Sequence, residues 1–337
     1  MDILSYIKPN DCDLLNDLKG LDLQDFLILL DDYYLEFRDK LNINKLITFG
    51  FELEFENLRI DMNKLNLKLY NTFNSDRYHV KNDSTLNRGG EVATPVLIDE
   101  EKYWSEIFIL CDVLRNYAEI GKNAGGHIHV GTQALGSNST SWLNFAKLWA
   151  TYENVIYRFC YGNFLVGRST IEKFALPLSN NYYTKYKDLK NRDLSVYDII
   201  AKLTCDRRRG VNLNNINTYS LDNEDIRNTI EFRCPNGTLD EVIWQNNLNL
   251  FVNILKYSRS SNFNHDIVDK RHRINSELNL YDNLNLYNEI YLEEALEFSD
   301  LIFNNNLDKL YFLRQYLKSF EISNKYSLVS NHITNVK

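Results

Sequence analysis

Gly50-Phe51-Glu52-Leu53-Glu54-Phe55-Glu56 sets carboxylates and large apolar side chains in strict alternation. Successive side chains of an extended chain point to opposite faces. A strand here puts Phe51, Leu53 and Phe55 on one face and Glu52, Glu54 and Glu56 on the other. Glutamate is a poor strand former, so three on one face need a reason. Same-face neighbours lie ~7 Å apart along a strand. At an effective dielectric of ~20 each adjacent pair repels by roughly 2 kcal/mol. Such a face is either simply wet or matched by something positive.

The apolar half of this strand needs a core, and the chain can supply one. Of 337 residues 44% are hydrophobic and 13% aromatic, ample for one large domain or two. Lys and Arg number 38 against 46 Asp and Glu, a net charge of 38 − 46 = −8. That argues against nucleic-acid partners and acidic membranes, which need basic surface. No run approaches the ~18 apolar residues of a membrane span. The N-terminus has no basic region leading into an apolar stretch. An intracellular, cytoplasmic protein is the expectation. Cys12, Cys111, Cys160, Cys205 and Cys234 are scattered and form no C-x-x-C pair, so neither a disulfide framework nor a cysteine zinc site is indicated. Each is expected to be a small buried apolar group.

Helical spacing is expected from Asp22 to Leu41, before the glutamate strand. Residues 78–97 read as turn-linked strands, with Asn87-Arg88-Gly89-Gly90 as the turn. A helix from about Glu100 carries Trp104, Ile107, Phe108, Cys111 and Leu114 at helical spacing. Ala124 to Gly131 reads as a short strand, and helices follow from about Ser141 and over Val196 to Cys205. Asn212 to Arg233 reads as a hairpin. Thr238-Leu239-Asp240-Glu241 matches a capping box, with Thr238 as N-cap of a helix reaching about Lys256. Apolar stripes predict helices at Leu292–Phe303 and Leu307–Phe320. Strands joined by hairpins or helices predict an α+β protein on a largely antiparallel sheet. No G-x-G-x-x-G or G-x-x-x-x-G-K-[ST] pattern occurs, so a nucleotide would bind without a Rossmann or P-loop cradle.

Four further segments place polar chemistry on strands. His127 and His129 stand at i, i+2 within Gly125-Gly126-His127-Ile128-His129-Val130-Gly131 and share a face. Glu231 and Arg233 share a face opposite Ile230 and Phe232. Glu91 begins a strand, after Asp83 and Ser84, which also suit a turn. Arg207-Arg208-Arg209 precedes Val211-Asn212, either as a solvated run or to deliver guanidiniums to an anion. If these strands share one sheet, their polar faces merge into one floor. Carboxylates with imidazole suit Mg²⁺ or Mn²⁺, and arginines beside them suit phosphate. That combination belongs to phosphoryl transfer from a nucleotide.

The segments FGFELEFE (49–56), DSTLNRGGEVATPVL (83–97), AGGHIHVG (124–131), RRRGVNL (207–213) and TIEFRCPNGTLD (229–240) together resemble the glutamine-synthetase-like amidoligase family, a branch of the carboxylate–amine ligases. The resemblance covers roughly residues 45–260, leaving 1–44 as an N-terminal helical extension and 261–337 as a C-terminal helical segment packed on the catalytic domain. It implies a curved, largely antiparallel catalytic sheet with helices on its outer face, binding ATP and Mg²⁺ or Mn²⁺. It implies Glu52, Glu54, Glu91, His127 and Glu231 as metal ligands. His129, Arg233, Asn212 and Ser84 would contact the nucleotide, and Arg207 or Arg209, Arg233 and His129 would act in catalysis. Glu56 is an acid without a role in the family pattern, and Arg208 stands where an aromatic residue is expected.

The implied reaction joins a small-molecule or peptide carboxylate to an amine through an acyl phosphate. Two alternatives stay open: an amide or isopeptide hydrolase on the same scaffold, and a non-catalytic nucleotide- or metal-binding module.

Overall fold

The structure, a computed structural model, describes residues 25, 27, 28, 30, 35–216 and 228–318 of the chain. It is an α+β protein. Six strands, β1 (Phe49–Phe55), β2 (His79–Asn82), β3 (Gly90–Ala93), β4 (Gly126–Gly131), β5 (Val211–Asn212) and β6 (Thr229–Phe232), form one open sheet in the order β2-β3-β1-β4-β6-β5. Every pairing is antiparallel. The opening heptapeptide is thus a central strand.

The ten described α-helices are α1 (Met62–Phe73), α2 (Glu101–Tyr117), α3 (Ser139–Cys160), α4 (Ile171–Phe174), α5 (Ser179–Leu189), α6 (Val196–Leu203), α7 (Glu241–Arg259), α8 (His265–Glu277), α9 (Leu292–Ile302) and α10 (Asn306–Leu317). No described helix is long and apolar enough to cross a membrane.

The alternation of β1 decides which side the helices take. Phe49, Phe51, Leu53 and Phe55 are all buried. Phe51 meets Trp104 of α2 and Trp244 of α7 at ring-centroid distances of 6.2 and 5.1 Å. On β6, Phe232 stacks on Phe251 of α7 at 4.0 Å and on Trp149 of α3 at 5.6 Å. Burying each such side chain contributes roughly 1.5–3 kcal/mol. The helices α2, α3 and α7 therefore cover the apolar face, and the carboxylate face is left for other business. Helix α3 is the central pillar, buried from Ser141 to Cys160 and packed against α5, α6, α7, α8 and α10. Its Trp142, Phe145, Leu148, Trp149, Tyr152, Ile156 and Phe159 fill that core, and its buried Lys147, Glu153, Asn154 and Arg158 are each hydrogen-bonded.

Several expectations need correction. The helix expected to reach Leu41 does not: Asp25, Leu27, Ile28 and Leu30 are helical, but residues 35–41 are not; the rest of that span lies outside the described residues. There Asp99 accepts hydrogen bonds from the Leu41 and Ile43 amides and Trp104 Nε1, and this holds an extended path. Thr238 is not the N-cap of α7. Asp240 is, accepting from the Val242 amide, while the Thr238 hydroxyl accepts from the Asp240 amide two residues earlier. Gly90 belongs to β3, so the turn covers residues 83–89. Helix α1 was not expected, because only Leu65 and Leu69 of its polar sequence are buried. Cys111, Cys160 and Cys234 are buried as expected, Cys205 is half-buried, and Cys12 lies outside the described residues.

Candidate active site

Antiparallel register turns one acidic strand into a floor. In β1–β3, Glu54 pairs with Glu91, which pairs in turn with Lys81 of β2. In β1–β4, Glu52 pairs with His127 and Gly50 with His129. In β4–β6 and β6–β5, His129 pairs with Glu231 and Glu231 with Asn212. Directly opposed residues lie on the same face. Two adjacent cross-strand rows, Lys81-Glu91-Glu54 and Glu52-His127, thus meet a third, His129-Glu231-Asn212, on the face away from the helices.

His127 is the hub. Its Nδ1 is 2.8 Å from Glu52 Oε2 and 3.8 Å from Glu231 Oε1, and its Nε2 is 3.4 Å from Glu54 Oε1. His129 Nε2 lies 3.4 Å from Glu52 Oε1, and its Nδ1 is 3.2 Å from the Thr229 hydroxyl. Burial works to raise the Glu52 carboxyl, but the imidazoles of His127 and His129 outweigh it and hold Glu52 well below the usual carboxylate range. Glu231 is buried too, and the Arg233 guanidinium, both imidazoles and the Asn212 amide pull it down against that burial. For His129 burial lowers the pKa, while Glu52 and Glu231 raise it further, so its net shift is upward. The site thus holds ionised acids facing imidazoles.

Glu231 also accepts from Arg233 Nη1 and from the Asn212 and Asn215 side-chain amides. Arg233 Nε donates to the Phe174 carbonyl. Glu54 accepts from the Gly125 amide at 2.5 Å, and Glu91 pairs with Lys81 at 3.2 Å. Two triads could each hold a divalent cation. Glu52, His127 and Glu231, and separately Glu54, Asp83 and Glu91, offer ligand atoms within 4.8 Å of one another. A cavity of about 260 Å³ opens over the acids, walled by Arg168, Arg207, Arg208 and Arg233. A second, of about 760 Å³, adjoins it beside Asn212 and shares Arg207 and Arg208.

The structure sorts the sequence candidates. Glu52, Glu54, Glu91, His127, Glu231 and Arg233 come together. Of the arginine run, Arg207 lines both cavities, Arg208 is paired with Asp206 at 2.9 Å, and Arg209 turns away to the Pro177 carbonyl. Asn212 reaches the floor, with its amide on Glu231. Ser84 is exposed in the turn; its neighbours Asp83 and Thr85 line the cavity instead. Sequence reasoning missed Arg168 and Asn123, which lie on loops without a motif.

Glu56 acquires a role. It is 2% exposed and its carboxylate accepts from the Asn87 amide and from the Asn123 amide and side chain. It ties the β2–β3 turn to the loop that delivers Gly125 and His127. Burial works to raise its carboxyl, and these bonds more than offset that, leaving a lowered pKa. Its contribution to stability is therefore present above its unfolded pKa of 4.5 and is lost as pH falls below it. Glu56→Ala should lower Tm by about 3–4 °C, from about 2–3 kcal/mol of orphaned donors. Thermal melts followed by circular dichroism check this; an unchanged Tm would show that the carboxylate ties nothing.

An antiparallel α+β sheet with helices on one face and clustered acids, imidazoles and guanidiniums on the other defines the class. A family model described as "putative amidoligase enzyme" matches residues 45–255, a span that contains all six strands. The chain belongs to this amidoligase family, which supports a ligase. No curated protein matches the chain.

Proposed function

We propose that this amidoligase is an ATP- and divalent-metal-dependent ligase, joining a carboxylate to an amine through an acyl phosphate on a sheet of the glutamine-synthetase-like type. The observation that carries the reading is the register that sets Glu52 against His127 and His129 against Glu231, with Arg233 beside them. The donor set fits hard divalent cations, since ionised carboxylates only accept and sit here in two compact triads. Glu52, His127 and Glu231 would hold one ion, and Glu54, Asp83 and Glu91 another. Bound there, the ions would neutralise phosphate charge.

The chain's own residues do the rest. Arg233 and Arg207, at the cavity wall, bind the transferring phosphoryl group and stabilise its charge. His129 donates to a phosphate oxygen. The substrate carboxylate oxygen forms a bond to the γ-phosphorus as the bond to ADP breaks. The amine nitrogen then bonds to the acyl carbon, phosphate leaves with the C–O bond electrons, and one proton passes to solvent. The acid and amine are small molecules or peptides, and ATP use fits the cytoplasmic location expected from the sequence.

The test is to supply Mg²⁺, ATP and a panel of acids and amines and to follow ADP and new amide by mass spectrometry. One ADP per amide is expected. Amide cleavage with no ADP formed would replace this reading with a hydrolase.

A further inference from the structure

The most buried cation at the site belongs to no motif. Arg168 is 5% exposed and lies on the loop between α3 and α4. Its Nη2 donates to the Arg233 carbonyl at 3.0 Å, its Nη1 to the Pro235 carbonyl, and its Nε to the Thr170 hydroxyl at 3.2 Å. Its own amide donates to Asn236 Oδ1 at 2.8 Å. The guanidinium also lies flat against Gly125. A Cβ on Gly125 would stand 2.7 Å from Arg168 Cζ and 2.9 Å from Nη1, so no other residue fits there without moving the arginine.

These contacts bracket the two segments that carry the site. One is the turn after β6, with Arg233 at its start. The other is Gly125, whose amide donates to Glu54 at 2.5 Å and which precedes His127 by two residues. The segments touch directly as well, through the Gly126 amide to the Pro235 carbonyl at 3.1 Å and the Gly237 amide to the Ala124 carbonyl at 2.8 Å. A planar fork reaching separate acceptors in fixed directions suits such a junction; an ammonium on a flexible stem does not.

We propose that Arg168 is a positioning residue: by clamping the Arg233–Pro235 turn onto Gly125 it sets the Glu54 carboxylate and the Arg233 backbone in the geometry that a metal ion and its phosphate ligand require. This rests on the metal-dependent reading above. It goes beyond it by giving the site a support that carries no ligand atom.

Electrostatics alone predicts the opposite sign for its removal. A buried cation beside Glu54 repels a divalent ion, so deleting only its charge would tighten metal binding. Loss of the clamp would weaken it, on the order of 10–100-fold, as for other groups that orient metal ligands.

The test is Mn²⁺ affinity of the full chain by calorimetry and electron paramagnetic resonance, with no turnover required. Wild type, Arg168→Met, Arg168→Lys and Gly125→Ala are compared, each first shown folded by circular dichroism. All three variants should bind Mn²⁺ on the order of 10–100-fold more weakly than wild type. The lysine variant should not be rescued, because it keeps the charge and loses the fork. Wild-type or tighter Mn²⁺ binding by a folded Arg168→Lys or Gly125→Ala overturns the proposal. Should Arg168→Met fail to fold, those two variants still decide it, since each leaves a cation at position 168. A wild type that binds no Mn²⁺ overturns the metal reading itself, a pattern distinct from equal binding by all forms.

Discussion

Glu52→Gln will abolish ligation while leaving the fold intact. The substitution keeps shape and removes one charge from a carboxylate held 2.8 Å from His127 Nδ1 and 3.4 Å from His129 Nε2. In the proposed site Glu52 supplies one of three ligand atoms of the first triad, and an amide oxygen is a far poorer partner for Mg²⁺. ADP formation should fall on the order of 10³-fold or more. The thermal signature is as informative as the kinetics. A ligand that binds only the native state raises stability with its concentration, so Mn²⁺ should raise the wild-type Tm and barely move that of the variant. Without metal the variant should melt below wild type near neutral pH, because His127 and His129 hold the Glu52 pKa down and its charge therefore stabilises the folded state. Full turnover, or an unchanged Mn²⁺ response, would remove Glu52 from the site.

Glu153→Ala should be the most destabilising single change outside the site. Glu153 is 0% exposed on the central helix α3, next to Tyr152, whose backbone departs from helical values at φ −111° and ψ 17°. Its carboxylate accepts from Trp149 Nε1, the Leu178 and Ser179 amides, the Ser179 hydroxyl and the Tyr287 hydroxyl. Helix α5 has no capping side chain of its own at Leu178, so Glu153 caps it from another helix. Removing the acceptor orphans several buried donors at ~1–3 kcal/mol each. A total of about 4 kcal/mol corresponds to a Tm drop of roughly 6 °C for a chain of this length.

The pH dependence has a definite sign. Burial pushes the Glu153 carboxyl up to about 7, against the pull of Ser179, Trp149 and Leu178. Its folded pKa is above the unfolded 4.5, so its stabilising contribution is complete below that value and is lost as pH rises through about 7. Wild-type Tm should therefore decline between pH 5 and 8 by an increment that Glu153→Ala lacks. Melting curves across that range decide it, and parallel curves would contradict the assignment.

Much of the site was legible because its residues ride on strands. Period-2 alternation states which side chains share a face, and it did so for Glu52 and Glu54, for His127 and His129, and for Glu231 and Arg233. Where the chain leaves regular structure, that signal ends. Nothing about Arg168 or Asn123 in sequence points to the floor, since a loop residue's direction is set by what it packs on. Between Arg207 and Arg209 the sequence offers no choice, and the choice came from the Pro177 carbonyl, which takes Arg209. Thr238 failed as a cap because Asp240 offers a carboxylate to the Val242 amide two residues on.

What the sequence by itself determined is the division of each strand into an apolar and a polar face, because side-chain direction along an extended chain is a local property. It also determined that the chemistry would be acids, imidazoles and guanidiniums. Only the tertiary structure decided which of these meet. Glu52 faces His127, and His129 faces Glu231, because backbone hydrogen bonds between segments 75 to 102 positions apart fix the register, and pairing energy at that separation leaves no trace in local pattern. The same long-range packing took the third glutamate of the opening heptapeptide out of the floor: Glu56 lies past the end of β1, where Asn87 and Asn123 claim its carboxylate.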